Sequence, residues 1–158
     1  MRKTTFDSTK FDKSGRAGEG WLDLDKIAKV AVTSEDLSRP IESAFGFDGP
    51  SGWRAGGKGE QTIRLIFDRP QRIKRIWLRF VETEMARTQE FSLRWRPQKD
   101  GPAREIVRQQ WNFNPTGSTT EIEDYKVDLT NVGVLELTIN PDVSEGEGLA
   151  TLAELRVA

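Results

Sequence analysis

Apolar and polar residues alternate with a period of two in several separate segments, and this alternation limits the possible folds more than any other feature. Between residues 61 and 68, Ile63, Leu65 and Phe67 fall on one face, as in a half-buried strand. No segment shows a helical period long enough for a parallel crossover. We therefore predict an all-β fold, an antiparallel β-sandwich of about seven or eight strands. The other strand-like segments are 72–82, 89–97, 104–113, 119–129, 134–140 and 149–157.

Turn and breaker residues separate these segments. Pro70 fixes φ and has no N–H to donate, so a strand end is predicted at residues 69–71. Asn131 and Gly133 predict a short turn before the strand that follows them. Residues 27–32 form a short apolar run, which fits either the first strand or one helical turn.

Two residue types are absent from the sequence, and their absence restricts the possible chemistry. The 158 residues include no Cys and no His. Ser-His-Asp and Cys-His catalysis are therefore excluded, and transition-metal sites lose their usual ligands. A hydrolase that uses two carboxylates remains an alternative, although no pair stands out among the 25 acidic residues. We expect that the chain is not an enzyme.

The charge is nearly balanced but unevenly distributed. The net charge of −1 predicts no general attraction to nucleic acid. Residues 54–108 carry 14 Lys and Arg against 7 Asp and Glu, whereas residues 109–158 carry 2 against 9. These two blocks predict ion pairs between strands that are distant in sequence. The alternative is a basic face for an acidic partner, formed by Arg64, Arg79, Arg94, Arg96 and Arg108.

The N-terminal segment differs in composition from the rest of the chain. Residues 1–20 are polar with few apolar anchors, so we expect a flexible tail before a single domain at residues 21–158. The tail lacks the apolar core of a signal peptide, which favours the cytoplasm for the chain as given. No run approaches the ~20 apolar residues of a membrane helix, so no membrane partner is expected.

A glycine-rich loop containing Asp48 and Trp53 leads into the first alternating segment. The pattern at 73–80 and the closing segment at 149–157 follow it in order. These motifs resemble the discoidin, or coagulation-factor type C, family of the galactose-binding-domain-like superfamily, and the resemblance extends over residues 41–158. It implies a jelly roll of two packed sheets that binds its ligand through loops at one end.

The resemblance also implies a structural calcium ion in the glycine-rich loop. Its ligands would be Asp48, Ser51 and Glu154, with the carbonyl groups of Phe45 and Ala153 as further donors, and Ca²⁺ prefers such oxygen ligands. The family loop usually reads Asp-Gly-Asp/Asn-x-x-Thr, whereas this chain has Asp-Gly-Pro-Ser-Gly. The alternative is a tight turn without metal, in which Glu154 binds a nearby arginine.

Aromatic residues beside amide side chains indicate a candidate sugar site, because sugar rings stack on aromatic faces. Trp111 ends a strand and is followed by Asn112 and Asn114. We predict these residues as ligand contacts, together with Trp53 and Arg54 of the glycine-rich loop. Core packing is the alternative for both tryptophans.

The expected function is therefore that of a non-catalytic module that binds carbohydrate. The alternative on the same fold is an intracellular protein-interaction or scaffold domain, which the absence of cysteines and of a visible signal peptide favours. An exposed aromatic side chain at one loop end would distinguish the first function from the second.

Overall fold

The computed structural model describes residues 20–46 and 52–158, so all of the predicted tail except Gly20 lies outside the described residues. A short helix α1 (Leu24–Ile27) precedes β1 (Ala28–Val32), which resolves the apolar run at 27–32 as a strand entered from a helical turn. A 3₁₀ helix covers Ile41–Ala44. The later strands are β2 (Trp53–Arg54), β3 (Gln61–Val81), β4 (Arg87–Arg96), β5 (Arg104–Phe113), β6 (Thr120–Asn140), β7 (Thr151–Leu152) and β8 (Glu154–Val157).

The strands form two antiparallel layers. The first layer has the order β1, β3, β6, β4, β5, and within it the first part of β3 pairs with the last part of β6. In the second layer, the last part of β3 pairs with the first part of β6 and with β8. The short strands β2 and β7 pair with each other. The ring of Phe80 in the second layer lies 5.2 Å from that of Phe91 in the first, so the layers pack face to face. The predicted all-β sandwich is confirmed.

The strand β3 belongs to both layers and runs through Pro70, so the predicted strand end at residues 69–71 is wrong. Its pairing with β6 is regular up to Ile66 and resumes at Gln71 after a register shift. Because the intervening residues have no partner on β6, the missing N–H of Pro70 leaves no ladder hydrogen bond unmade there.

The strand β6 also crosses between the layers, so the turn predicted at Asn131 and Gly133 is wrong as well. The register of β6 against β3 shifts between Leu129 and Val132. At Gly133, an added Cβ would lie 2.4 Å from the carbonyl oxygen of Pro97. Glycine is therefore required by close backbone contact at the crossing.

The core lies between the layers and contains the apolar residues that alternate along the segments 61–68 and 72–82. Ile63, Leu65, Ile76, Leu78 and Phe80 are each 2% exposed or less. Burial of such side chains stabilises a fold by roughly 1.5–3 kcal/mol each. Over the described ranges, no helix is long and apolar enough to cross a membrane.

The basic and acidic blocks of the sequence pair with each other across the strands, which confirms the predicted ion pairs. The carboxylate of Glu136 is 6% exposed and binds Arg64 at 2.7 Å and Arg96 at 3.4 Å. More exposed pairs extend this pattern, and they are Arg72–Asp128 at 2.9 Å and Arg75–Asp124 at 2.8 Å. The alternative of a free basic face therefore loses most of its arginines to neighbouring carboxylates.

Candidate functional site

One end of the sandwich is held together by a buried arginine. The side chain of Arg87 is fully buried, and its Nε donates to Glu82 at 2.7 Å. Its Nη1 donates to the Pro141 carbonyl at 2.8 Å, and its guanidinium lies 4.9 Å from the ring centre of Phe113. This one side chain thus fixes three segments that meet at the same end, namely the loops at 82–86 and 141–150 and the end of β5.

A groove of about 320 Å³ lies at this end, along the outer edge of β5. Its lining includes Gln110, Trp111, Asn112 and Ser118. Trp111 is half-buried on the inward side of β5, whereas Gln110 and Asn112 are exposed on the outward side. Since β5 is the last strand in the order of its layer, side chains of both faces reach the groove around the strand edge. Its volume falls in the lower range of small-molecule sites.

Hydrogen bonds to neighbouring strands orient the polar side chains of the groove. Thr88 Oγ1 donates to Asn112 Oδ1 at 2.7 Å, so the amide nitrogen of Asn112 is the end that can donate to a ligand. Gln110 Nε2 donates to Glu90 at 2.8 Å, which leaves its amide oxygen as the acceptor. The buried Nε1 of Trp111 has no hydrogen-bond partner among the described residues. The lining therefore combines an aromatic side chain with donors and acceptors that carry no charge.

Asn114 lies in the turn next to the groove. Its Oδ1 accepts from the backbone N of Thr116 at 3.0 Å and from Thr116 Oγ1 at 2.9 Å. Its backbone N donates to the Ser118 carbonyl at 2.8 Å, which closes the turn. The structure thus places Asn114 beside Trp111 and Asn112, with its side-chain oxygen engaged in shaping the turn that carries Ser118.

The structure does not bring Trp53 and Arg54 into this groove. Trp53 is 0% exposed, and its Nε1 donates to the Ser34 carbonyl at 3.1 Å. A ligand has no surface of Trp53 to contact, so its position is that of the core-packing alternative. Arg54 binds Asp36 at 3.1 Å and lines a different cleft.

This second cleft, of about 270 Å³, lies among the loops at the same end. Its lining is strongly charged and includes Arg39, Glu82, Glu84 and Glu147 beside Arg54. The two depressions therefore differ in chemistry, because the Trp111 groove is lined by uncharged side chains where the structure describes it, and the second cleft has charges of both signs.

A buried polar cluster that includes Gln89 and Glu121 lies beneath the groove. The interpretation of the sequence did not identify this cluster. Gln89 lies opposite Trp111 in the pairing of β4 with β5, and its Nε2 donates to Glu121 at 3.1 Å. Gln89 and Glu121 are both 0% exposed. The alternation in the segment 119–129 contains a signal for this cluster, because Glu121 and Glu123 share the parity of the apolar residues Tyr125, Val127 and Leu129.

The ionisation of this cluster is shifted. Burial, and then the hydrogen bond and charge of the neighbouring Glu123, raise the pKa of Glu121 to about 9, so this carboxyl is neutral at pH 7. The hydrogen bond from Gln89 and the charge of Arg87 oppose this rise. Burial, followed by the charges of Glu123 and Glu121, also raises the pKa of Tyr125. In its neutral form Glu121 places no charge in the buried cluster.

Two of the predicted calcium ligands, Asp48 and Ser51, are not among the described residues. Glu154 is 4% exposed, and its two oxygens accept from Arg79 Nε at 3.2 Å and from Arg156 Nη2 at 3.0 Å. The carbonyl of Phe45, one of the two further donors predicted, accepts from Arg156 Nη1 at 2.7 Å. The oxygens of Glu154 and Phe45 therefore already contact guanidinium groups of the protein itself, and these two groups do not fit a calcium ion at the same place.

Comparison with known proteins identifies the fold. The chain is similar to the family 32 carbohydrate-binding module of C. perfringens NanJ in complex with galactose, with a TM-score of 0.62, 14% identity, and coverage of 87% of this chain and 96% of that one. It is also similar to the family 32 module of AlyQ in complex with 4,5-unsaturated mannuronic acid, with a TM-score of 0.62, 17% identity, and coverage of 84% and 95%.

A third similar chain belongs to the crystal structure of reduced XRCC1 bound to the DNA pol beta catalytic domain. Here the TM-score is 0.61 at 10% identity, with coverage of 84% of this chain and 96% of that one. No protein-family model matches the sequence, and no curated protein matches it. At these identities the similarity shows the fold alone, and the chain shares the β-sandwich fold of these carbohydrate-binding modules.

Proposed function

We propose that this domain is a non-catalytic carbohydrate-binding module, and that its ligand lies in the groove formed by Gln110, Trp111, Asn112 and Ser118. The observation that carries this proposal is the half-buried Trp111 at a strand edge, surrounded by amide and hydroxyl groups. Sugar rings present apolar C–H faces to aromatic side chains and hydroxyl groups to amides. The similarity to modules solved with galactose and with an unsaturated mannuronic acid supports this function.

The lining favours a neutral sugar over an acidic one. Recognition of a carboxylate or sulfate in a site of this kind uses Arg or Lys, and none of the lining side chains among the described residues is charged. A carboxylate, that of Glu90, contacts the lining by accepting from Gln110. We therefore expect neutral hexoses or their N-acetyl derivatives to bind more tightly than uronic acids.

The test is a glycan array followed by calorimetry, with Trp111→Ala as the diagnostic variant. Loss of a stacking aromatic is expected to weaken binding by about tenfold or more. Trp95→Ala is the matched control, because Trp95 is also half-buried, lies on neighbouring β4, and contacts Arg104 at 5.5 Å outside the groove. Equal affinity of the wild type and the folded Trp111→Ala variant would reject the assignment of this groove.

Protein interaction is the second candidate function, and one surface feature favours it. The side chain of Leu37 is 91% exposed in the loop that contributes Asp36 and Arg39 beside the charged cleft. One structurally similar chain comes from a complex of XRCC1 with a polymerase domain. A folded sample that binds no glycan, on the array and in calorimetry, would favour this second function.

The absence of catalysis is part of the proposal. A carboxylate-based hydrolase requires two carboxyl groups that both reach the substrate. Glu121, one member of the carboxyl pair under the groove, is 0% exposed and bonded to Gln89, which opposes such a role. Incubation of a bound oligosaccharide with the domain should leave the oligosaccharide intact, as measured by mass spectrometry.

A further inference from the structure

The guanidinium of Arg156 is enclosed by oxygen atoms of the loop that precedes residue 47. Arg156 is 4% exposed. Its Nη1 donates to the carbonyls of Phe45 at 2.7 Å, Leu155 at 3.2 Å and Ala44 at 3.5 Å. Its Nη2 donates to the carbonyl of Gly46 and to the Glu154 carboxylate at 3.0 Å. Four backbone carbonyls and one carboxylate thus converge on a single positive group.

Such a set of oxygens is of the kind that a hard divalent cation selects. Ca²⁺ is bound by carboxylates together with backbone carbonyls in bent segments of chain. The carbonyls of Ala44, Phe45 and Gly46 are consecutive, and their convergence on one point depends on the 3₁₀ turn at Ile41–Ala44. A guanidinium can satisfy the same oxygens because its five N–H groups spread in a plane.

The charges around the site are already balanced by arginines. The Glu154 carboxylate lies between Arg156 and Arg79, which donates its Nε to Oε1 at 3.2 Å. A calcium ion at these oxygens would lie beside the buried guanidinium of Arg156 and near the partly exposed one of Arg79, and like charges at short range repel strongly in a buried site. The ion and the Arg156 side chain therefore exclude each other.

We propose that Arg156 is the built-in cation of this loop and takes the position of a structural calcium ion. The loop is then fixed to the closing strand β8 by a covalently attached charge, and its conformation does not depend on metal. A corollary follows for variants of Arg156. Removing the Arg156 guanidinium leaves a cavity lined by the Glu154 carboxylate and by backbone carbonyls, which should accept a divalent cation.

The first test uses the unmodified domain. Its melting temperature should be the same in excess EDTA and in millimolar CaCl₂, and calorimetry with CaCl₂ should give no binding heat. Calcium binding that disappears in Glu154→Gln, or a melting temperature that EDTA lowers, would overturn the proposal, because the ion would then share the site with Arg156.

The second test uses Arg156→Met, which keeps a long side chain but removes the charge. Loss of one partner of a buried ion pair is expected to lower the melting temperature by about 10 °C. CaCl₂ should then restore part of the loss. Arg96→Met is the matched control, because Arg96 also binds a nearly buried carboxylate, Glu136, and a backbone carbonyl, that of Gly101.

The control separates a specific cation site from a general effect of salt. If calcium raises the melting temperature of Arg156→Met and leaves that of Arg96→Met unchanged, the proposal is supported. If calcium affects neither variant, or both equally, the proposal is rejected. Should Arg156→Met fail to fold, Arg156→Lys is the second variant, because it retains a positive charge at the site but not the planar guanidinium. Its melting temperature should lie below that of the wild type and should not change with calcium, since the lysine ammonium still occupies the site. A melting temperature of Arg156→Lys that rises with calcium would overturn the proposal.

Discussion

At the scale of single residues, Glu121 shows how the groove and its support are coupled. Its carboxyl lies between Gln89, which pairs with Trp111, and Glu123, which shares the inward face of β6. Arg87, the residue that fixes the surrounding loops, adds a favourable charge to the ionised form. Burial and Glu123 outweigh it, so the neutral form prevails.

Stability is therefore expected to fall as the pH rises. In the unfolded chain Glu121 titrates near 4.5, and in the folded domain its pKa is about 9. Between these values the folded state holds one more proton than the unfolded state, so each step to higher pH favours unfolding.

Melting temperatures measured from about pH 5 to about pH 9 should decline for the wild type and decline less for Glu121→Gln. Glu105→Gln, at a half-exposed surface carboxylate, is the control. Equal declines in all three proteins would contradict the assignment.

At the scale of elements, the two long strands β3 and β6 shape the molecule, because each contributes to both layers. The crossing of β6 requires a close approach to the segment after β4, where Gly133 meets the Pro97 carbonyl. Register shifts interrupt the pairing of β3 with β6 where these two strands pass from one layer to the other.

Gly133→Ala should therefore destabilise the fold, because the new methyl group would overlap backbone that cannot move independently of β4. Overpacking of this kind is expected to lower the free energy of unfolding by about 2 kcal/mol. Gly117→Ala is the control, since a Cβ there meets no atom within 4 Å. Urea denaturation of both variants measures the difference. A Gly133→Ala variant as stable as Gly117→Ala would show that the crossing has room to adjust.

The sequence allowed prediction of the strands but not of their continuity. Alternation depends on one residue and its neighbours, and it correctly placed residues such as Leu65 and Phe80 in the core. A proline or glycine between two alternating segments, such as Pro70 or Gly133, gives the same sequence pattern at a turn as at a layer crossing, because strand pairing is interrupted in both. Only the position of the other strands distinguishes a turn from a crossing.

Prediction of the candidate site from sequence has the same limit, because it identifies residues that are close in sequence and misses contacts between distant ones. The amide–aromatic pattern identified Trp111 and Asn112, which are neighbours in sequence, and the structure places both in one groove. The contact of Arg156 with Phe45 joins residues that are 111 positions apart, so no local pattern contains it. The burial of Trp53 likewise depends on Ser34, which belongs to a preceding loop.

At the scale of the whole molecule, the ion pairs and the candidate site occupy different surfaces. Ion pairs between the basic and acidic blocks lie along the strands, and the loop end has a groove with uncharged side chains, among the residues described, beside a charged cleft. Arg87 connects the loops of that end to the core, so the groove is built on rigid elements. Rigid support is what a site needs if it is to bind a small ligand without ordering its own loops.

The most direct test of sugar binding in this groove is a nuclear magnetic resonance titration that follows the indole N–H signals of the tryptophans. The Trp111 signal, assigned by its loss in Trp111→Phe, should shift as a neutral sugar selected on the array is added, because a sugar stacked on the Trp111 ring changes the environment of that ring. The Trp95 signal should stay in place. If the sugar binds while the Trp111 signal does not move, the ligand lies elsewhere, and the groove is not the binding site.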